Sequence, residues 1–279
     1  MIPVRGDGKS EYVFAHAAVL AQRFKAHVVV THCRTRPEDL MPFGVPIPAF
    51  LKKQIVEQAI EVADQEEKGI RAEIIKLAKK FKLTTTDAPT GKFASYEWVE
   101  KAGRQVEILK RHGRLADLIA VAKPDSDGAL GVNSLKGALF HTGRPVLMCP
   151  NTNKISPDLG SHIAIAWNGS TEASRAVALN LGLIESAKTI TILTGGEEIH
   201  GASAEDLAAY LKIRGVKSTI ERFKPSKNVG ADLLKHCAAA GADMMIMGAY
   251  GDNYEKEIVF GGNTQTVIDH ATMPIVLVH

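Results

Sequence analysis

Cysteine is scarce in this chain: Cys33, Cys149 and Cys237 are the only three in 279 residues. An odd count without C-x-x-C spacing excludes a paired disulfide framework and a cysteine zinc site, and suits small buried hydrophobes in a reducing compartment. Long apolar runs are missing too. The stretch from Met244 to Met247 falls far short of a membrane span, and no basic-then-apolar leader opens the sequence, so a cytoplasmic protein without a membrane partner is expected. Charge of one sign is also absent. The 34 Lys and Arg against 31 Asp and Glu leave +3, scattered and not striped, which excludes a nucleic-acid footprint. No G-x-S-x-G elbow, H-E-x-x-H pair or metal-spaced Cys and His cluster appears. Gly8-Lys9-Ser10 imitates the end of a phosphate-binding P-loop, but the glycine required five residues earlier is Pro3, so a loop and helix cap is the better reading. His236 and Cys237 are neighbours on a predicted helix and point apart. His141 and His270 fall at helix ends, where His caps carbonyls. No catalytic residue is assigned.

What the chain does contain is a repeat of about half its length. Ala116-Asp117-Leu118-Ile119-Ala120-Val121 matches Ala242-Asp243-Met244-Met245-Ile246-Met247, and His141 to Met148 matches His270 to Leu277. At the start of each half, Pro3-Val4-Arg5-Gly6 corresponds to Ala166-Trp167-Asn168-Gly169, followed by an amphipathic helix and a β-branched strand. The carboxyl-terminal half reads as strands near 162–167, 188–194, 216–223, 243–247 and 274–278, with helices near 172–184, 203–214, 229–240 and 262–271. Strands separated by helices of this length imply parallel pairing with right-handed crossovers. The fold class is therefore α/β, two tandem doubly wound five-stranded parallel sheets. Domains are expected at 1–150 and 161–279, with 151–160 as an aperiodic linker. In the first half, a proline-rich loop at 41–48 precedes a long helix from about Leu51 to Phe81. Its apolar residues Leu51, Ile55, Ala59, Val62, Ile74, Leu77 and Phe81 are read as one core-facing stripe, with packing on the other half or on a second chain as the alternative.

The most telling segment is Met247-Gly248-Ala249-Tyr250-Gly251, followed after nine residues by Gly261-Gly262-Asn263-Thr264 at the start of an apolar helix. Glycines at a strand's carboxyl end and a helix's first turn let backbone N–H groups converge on an anion. In a doubly wound sheet, the crevice where strand order reverses is the default ligand site. The first strand of this half ends nearby at Ala166-Trp167-Asn168-Gly169-Ser170, whose Asn168 amide could read the edge of a base. An ordinary turn and helix cap is the plainer reading of Asn168-Gly169-Ser170 taken alone.

This combination resembles the universal stress protein family, whose members carry G-x-x-G, nine residues and then G-[S/T] after the fourth strand of a five-stranded α/β fold. Here Gly248, Gly251 and Gly261 fill that pattern, and Asn168-Gly169-Ser170 stands where the family usually has Asp-Gly-Ser. The resemblance covers nearly the whole chain as a tandem. It implies ATP or a related adenine nucleotide, with Ala166, Asn168 and Thr194 on the base side and Met247 and Gly248 at the ribose. Gly251, Gly261, Gly262, Asn263 and Thr264 would take the phosphates. Asp252, Glu255 and Glu257 are candidates for a nucleotide-bound Mg²⁺, against a plain reading as solvated loop acids. Asn168 in place of Asp leaves the base preference open, and Gly262 removes a hydroxyl that family members often carry. In the first half, Ala122, Pro124, Asp125 and Arg5 replace the corresponding site residues, so a structural copy without a nucleotide site is expected there. The implied role is a stress-response sensor or adaptor acting on an unidentified protein client. A slow nucleotide hydrolase or phosphotransferase is the enzyme-class alternative, and a nucleotide-free scaffold is the other. The final strands are expected to pair between halves, and a homodimer through the long helix is a further expectation.

Overall fold

Alternating strands and helices build the chain because each β-branched or apolar run of four to eight residues is followed by an amphipathic stretch long enough to cross back over the sheet. The computed structural model describes residues 1–5, 8–34, 36, 48–125, 132–152, 154–196, 201–251 and 262–279, with the side chains of 132 and 133 left aside. The first half holds strands β1 (Ile2–Val4), β2 (His27–Arg34), β3 (Thr84–Thr85), β4 (Ser95–Ala102), β5 (Ile119–Ala122) and β6 (Val146–Cys149). Its helices are α1 (Ser10–Phe24), α2 (Ala49–Lys80), α3 (Gln105–His112) and α4 (Val132–Thr142). The second half holds β7 (His162–Ala166), β8 (Thr189–Gly195), β9 (Ser218–Phe223), β10 (Met244–Gly248) and β11 (Ile275–Val278). Its helices are α5 (Thr171–Leu179), α6 (Leu181–Ser186), α7 (Ala204–Ile213), α8 (Val229–Ala239) and α9 (Asn263–His270).

Four strands run in the order β1-β2-β4-β3, and seven run β5-β6-β11-β10-β7-β8-β9. The two sets meet at Met1, whose carbonyl accepts from Ala120 N–H at 3.0 Å and whose amine donates to Leu118 O at 2.9 Å. Every strand pair is parallel except one: β6 and β11 run antiparallel, with Leu147 opposite Val276. Each half is thus a doubly wound parallel sheet, as the repeat predicts, and the last strands of the two halves pair with each other. All eight residues of these two strands are buried. One apolar cluster on each face runs across both halves, with Leu147, Ile163 and Val276 on one side and Met148, Met245 and Leu277 on the other.

Two readings need correction. The helix expected over 172–184 breaks into α5 and α6 at Asn180, a buried residue whose Nδ2 donates to Ala176 O at 2.8 Å and competes with the helical ladder. Helix α2 is as long as its periodicity implies, but its stripe is core only in part. Ile70, Ile74, Leu77 and Ala78 are buried, whereas Phe50, Leu51, Ile60 and Val62 are 71%, 41%, 41% and 55% exposed. The amino-terminal half of α2 lies beyond the surface that its carboxyl-terminal half covers.

Truncation at the seam should be expensive and truncation on the uncovered part of α2 cheap. Leu147→Ala is expected to lower unfolding free energy by about 2–5 kcal/mol in chemical denaturation, and Val62→Ala to change it by less than about 0.5 kcal/mol.

Candidate functional site

The strand order of the second half reverses between β7 and β10, which are direct neighbours with Ala166 opposite Met247. That reversal opens a crevice above their carboxyl ends. β8 lies on the far side of β7, and Trp167 N–H donates to Leu193 O at 2.9 Å, which sets the start of this loop beside Thr194. Ala166, Asn168, Thr194, Met247 and Gly248 therefore stand at the ends of three adjacent strands.

Local hydrogen bonds fix the loop after β7. Asn168 is exposed and its Oδ1 accepts from Ser170 N–H at 3.1 Å. Ser170 caps α5, its Oγ accepting from Ala173 N–H at 3.2 Å. Gly169 adopts φ +73°, and an added Cβ would stand 2.9 Å from Ala202 O. The same carbonyl accepts from Trp167 Nε1 at 2.9 Å, so the segment around Ala202 closes over this turn. The turn-and-cap reading of Asn168-Gly169-Ser170 describes its local structure, and the outward Asn168 amide is compatible with a further role.

The two described glycines after β10 have different uses. A Cβ on Gly248 would come within 2.6 Å of Ala173 N and of the Glu172 carbonyl carbon. Its bareness lets the first turn of α5 press onto the strand end. Among the described residues the nearest atom to a Cβ added at Gly251 is Glu172 Oε2 at 3.7 Å, an ordinary contact. Between them Tyr250 takes the left-handed conformation, φ 52°, and is 2% exposed, with its ring 5.2 Å from that of Phe140 in the first half. Its N–H donates to Thr264 Oγ at 3.3 Å, which ties the strand end to the start of α9. Gly262 is the extended N-cap of α9 and provides no side-chain cap, leaving the first-turn amides to other acceptors. Asn263 Oδ1 accepts from Gly230 N–H at 3.3 Å, so this side chain and the Thr264 oxygen already have protein partners. Any anion-binding capacity at this turn thus rests mainly on backbone N–H groups. Gly261 and the acidic Asp252, Glu255 and Glu257 lie outside the described residues.

Sequence reading missed Glu172. Extending the repeat three residues past Gly169 aligns Glu172 with Lys9, just as Gly251 aligns with Asp125. In the first half that pair is an ion pair, Lys9 Nζ to Asp125 Oδ1 at 2.6 Å, with Lys9 Nζ also donating to Lys123 O at 3.2 Å. The equivalent corner of the second half has a glycine beside a carboxylate. The three thiols have no nucleophilic poise: all are buried, and desolvation pushes Cys33 and Cys237 up to about 12 and Cys149 upward as well.

Fold and crevice together define a class, tandem doubly wound α/β proteins with a ligand-type corner in the second half. The model of the universal stress protein family matches residues 185–279. No curated protein matches the chain. Among solved structures, a universal stress protein from Archaeoglobus fulgidus DSM 4304 is similar over 100% of this chain and 97% of its own, at TM-score 0.72 and 14% identity. A putative universal stress protein from Pseudomonas aeruginosa UCBPP-PA14 covers 100% of this chain and 90% of its own, at TM-score 0.53 and 14% identity. A universal stress protein in complex with cAMP is similar over 43% of this chain and 97% of its own, at TM-score 0.32 and 15% identity. The chain has the universal stress protein fold over its whole length. Among the described residues no helix is long and apolar enough to cross a membrane.

The glycine pair gives a direct test of the packing. Gly248→Ala forces a Cβ into the α5 backbone and should destabilise by about 1–3 kcal/mol, whereas Gly251→Ala should stay within about 0.5 kcal/mol by thermal or chemical melting.

Proposed function

We propose that this protein is a cytoplasmic stress-response sensor or adaptor that binds ATP or a related adenine nucleotide in its second half. The observation that carries the reading is the corner at the β7–β10 reversal. There, Gly251, uncrowded by the described residues, stands near the first turn of α9, which has no side-chain cap at Gly262 and is tied to Tyr250 N–H through Thr264 Oγ. A helix N-terminus with unspent amides favours a phosphate through both hydrogen bonding and the helix dipole. In this reading the base lies toward Ala166, Asn168 and Thr194, the ribose over Met247 and Gly248, and the phosphates against Gly251, Gly261, Gly262, Asn263 and Thr264.

Glu172 adds a requirement of its own. A carboxylate beside the phosphates repels them unless a cation stands between, so the nucleotide is proposed to bind with Mg²⁺. The first half is proposed as a structural domain over residues 1–150, joined through 151–160 to a nucleotide domain over 161–279. Where an anion would enter the first corner, the Lys9–Asp125 pair holds an acid in place. No reaction is assigned, and the client of the adaptor role is a protein of unassigned identity.

Calorimetry of the full chain with ATP, ADP and AMP, with and without Mg²⁺, tests this. One nucleotide per chain is expected. Gly251→Asp, which copies Asp125 into the second half, should weaken binding at least about tenfold, since one buried like charge shifts an equilibrium by that order or more. Asp125→Gly should leave it unchanged. Absence of binding to the folded wild-type chain removes the proposal.

A further inference from the structure

A second cluster of chemistry lies in the first half, on the sheet face covered by α2. His32 on β2 and Glu100 on β4 are register partners on adjacent parallel strands and so project to the same face. Trp98, two residues before Glu100, stacks on the His32 ring with centroids 5.5 Å apart and planes at 21°. Helix α2 adds Glu67 from above. One oxygen from each carboxylate and one ring nitrogen of His32 all lie within 4.8 Å of one another.

Two independent features mark this as more than an acidic patch. His32 is 3% exposed, and its Nδ1 is buried without a hydrogen-bond partner. The nearest carboxylate oxygen, Glu100 Oε2, is 3.8 Å away, too far to serve as one. A buried imidazole nitrogen aimed at two carboxylates and bonded to neither lacks the partner that such groups nearly always have. The second feature is charge. Arg34 pairs with Asp64 and stands 3.6 Å from Glu100 and 3.7 Å from Glu67. Asp64, Glu67 and Glu100 against this guanidinium leave two negative charges, and Glu66 adds to the negative field at His32. Burial holds the His32 pKa below its ordinary value, with the Glu67 and Glu66 charges opposing it. The Glu67 carboxyl is held above the usual carboxylate range, first by its contact with Glu100 and then by burial.

We propose that His32, Glu67 and Glu100 form a binding site for a divalent first-row transition-metal ion, with zinc as its reference occupant. One imidazole and two carboxylates are ligand types that zinc accepts, and three protein ligands leave its fourth position to water. Bonds of about 2.0–2.2 Å require the ligand atoms to close together slightly. Glu100, 39% exposed at its side chain, has the freedom to do so. The ion would stand between the two carboxylates and give His32 Nδ1 its partner. Because its ligands come from β2, β4 and α2, it would also pin the long helix to the sheet.

The test uses the full chain stripped with chelator and titrated with ZnCl₂ alone, without nucleotide, so its outcome is separate from that of the nucleotide proposal. One zinc per chain is expected, with proton release and a higher melting temperature. Glu67→Gln and Glu100→Gln should each weaken zinc binding at least about tenfold and abolish the thermal gain. Glu100→Gln alters a half-exposed side chain and keeps the test valid if His32→Gln fails to fold. In a Trp167→Phe background, Co²⁺ should quench Trp98 fluorescence with the same stoichiometry. The proposal is overturned if zinc does not bind up to millimolar concentration, or if both Gln variants bind it as tightly as the wild type.

Discussion

Strands β6 and β11 would each be a bare edge if the other were absent, and both are too apolar to face water. Their eight buried residues and unsatisfied backbone groups need a partner. Antiparallel pairing supplies it and fixes the relation of the two halves. Because the halves meet head to tail, the strand ends of one lie beside the strand beginnings of the other. The loop after β10 therefore leans on the first half, through Tyr250 against Phe140, and Ala249 N–H donates to Val278 O at 2.8 Å. The loop after β5 mirrors it: Lys123 N–H donates to Cys149 O at 2.8 Å, and its Nζ donates to Ala271 O at the end of α9, also at 2.8 Å. Each corner is buttressed by the other half, so the seam shapes both ligand-type crevices as well as holding the sheet together.

The equivalent corners have diverged through side chains at two aligned positions. In the first half Lys9 and Asp125 neutralise each other and occupy the corner. In the second half Gly251 is uncrowded by the described residues and Glu172 stands beside it with negative charge. Lys123 N–H to Cys149 O and Ala249 N–H to Val278 O, both at 2.8 Å, are the matching backbone hydrogen bonds at the two strand ends.

Strand and helix positions in the second half were legible to within about two residues, because β-branched runs, glycine punctuation and helical periodicity are local signals. What covers an apolar face is not local. The stripe on α2 is equally periodic above and below Ile70, yet its buried apolar residues, Ile70, Ile74, Leu77 and Ala78, all lie in the carboxyl-terminal part, and Asp64 and Glu67 reach the sheet through polar contacts with Arg34. Gly248 was legible as a bare strand end but not as the seat of α5, since that depends on a backbone contact with residues more than 70 positions earlier. The His32 cluster was invisible for the same reason. Its three ligand-type residues, His32, Glu67 and Glu100, lie far apart in the sequence, and only the register of β2 with β4 and the passage of α2 bring them together.

That cluster and the proposed nucleotide corner depend on different kinds of preorganisation. At the corner the functional groups are backbone amides, fixed by the fold itself, so the site tolerates side-chain change wherever the amides remain bare. At His32 the groups are side chains on three elements, and one of them, Glu100, is half exposed. Such a site is only as rigid as the packing of α2, whose anchoring residues Ile70, Ile74, Leu77 and Ala78 lie immediately after Glu67. Glu67 thus sits at the boundary between the buried and uncovered parts of the helix. A cation bound there would reinforce the anchor that Asp64 already makes with Arg34, just short of the stretch where Phe50, Leu51, Ile60 and Val62 are exposed. Metal occupancy would then set how much of that apolar surface is held in one orientation, linking the chemistry of the first half to the part of the molecule that its own core leaves uncovered.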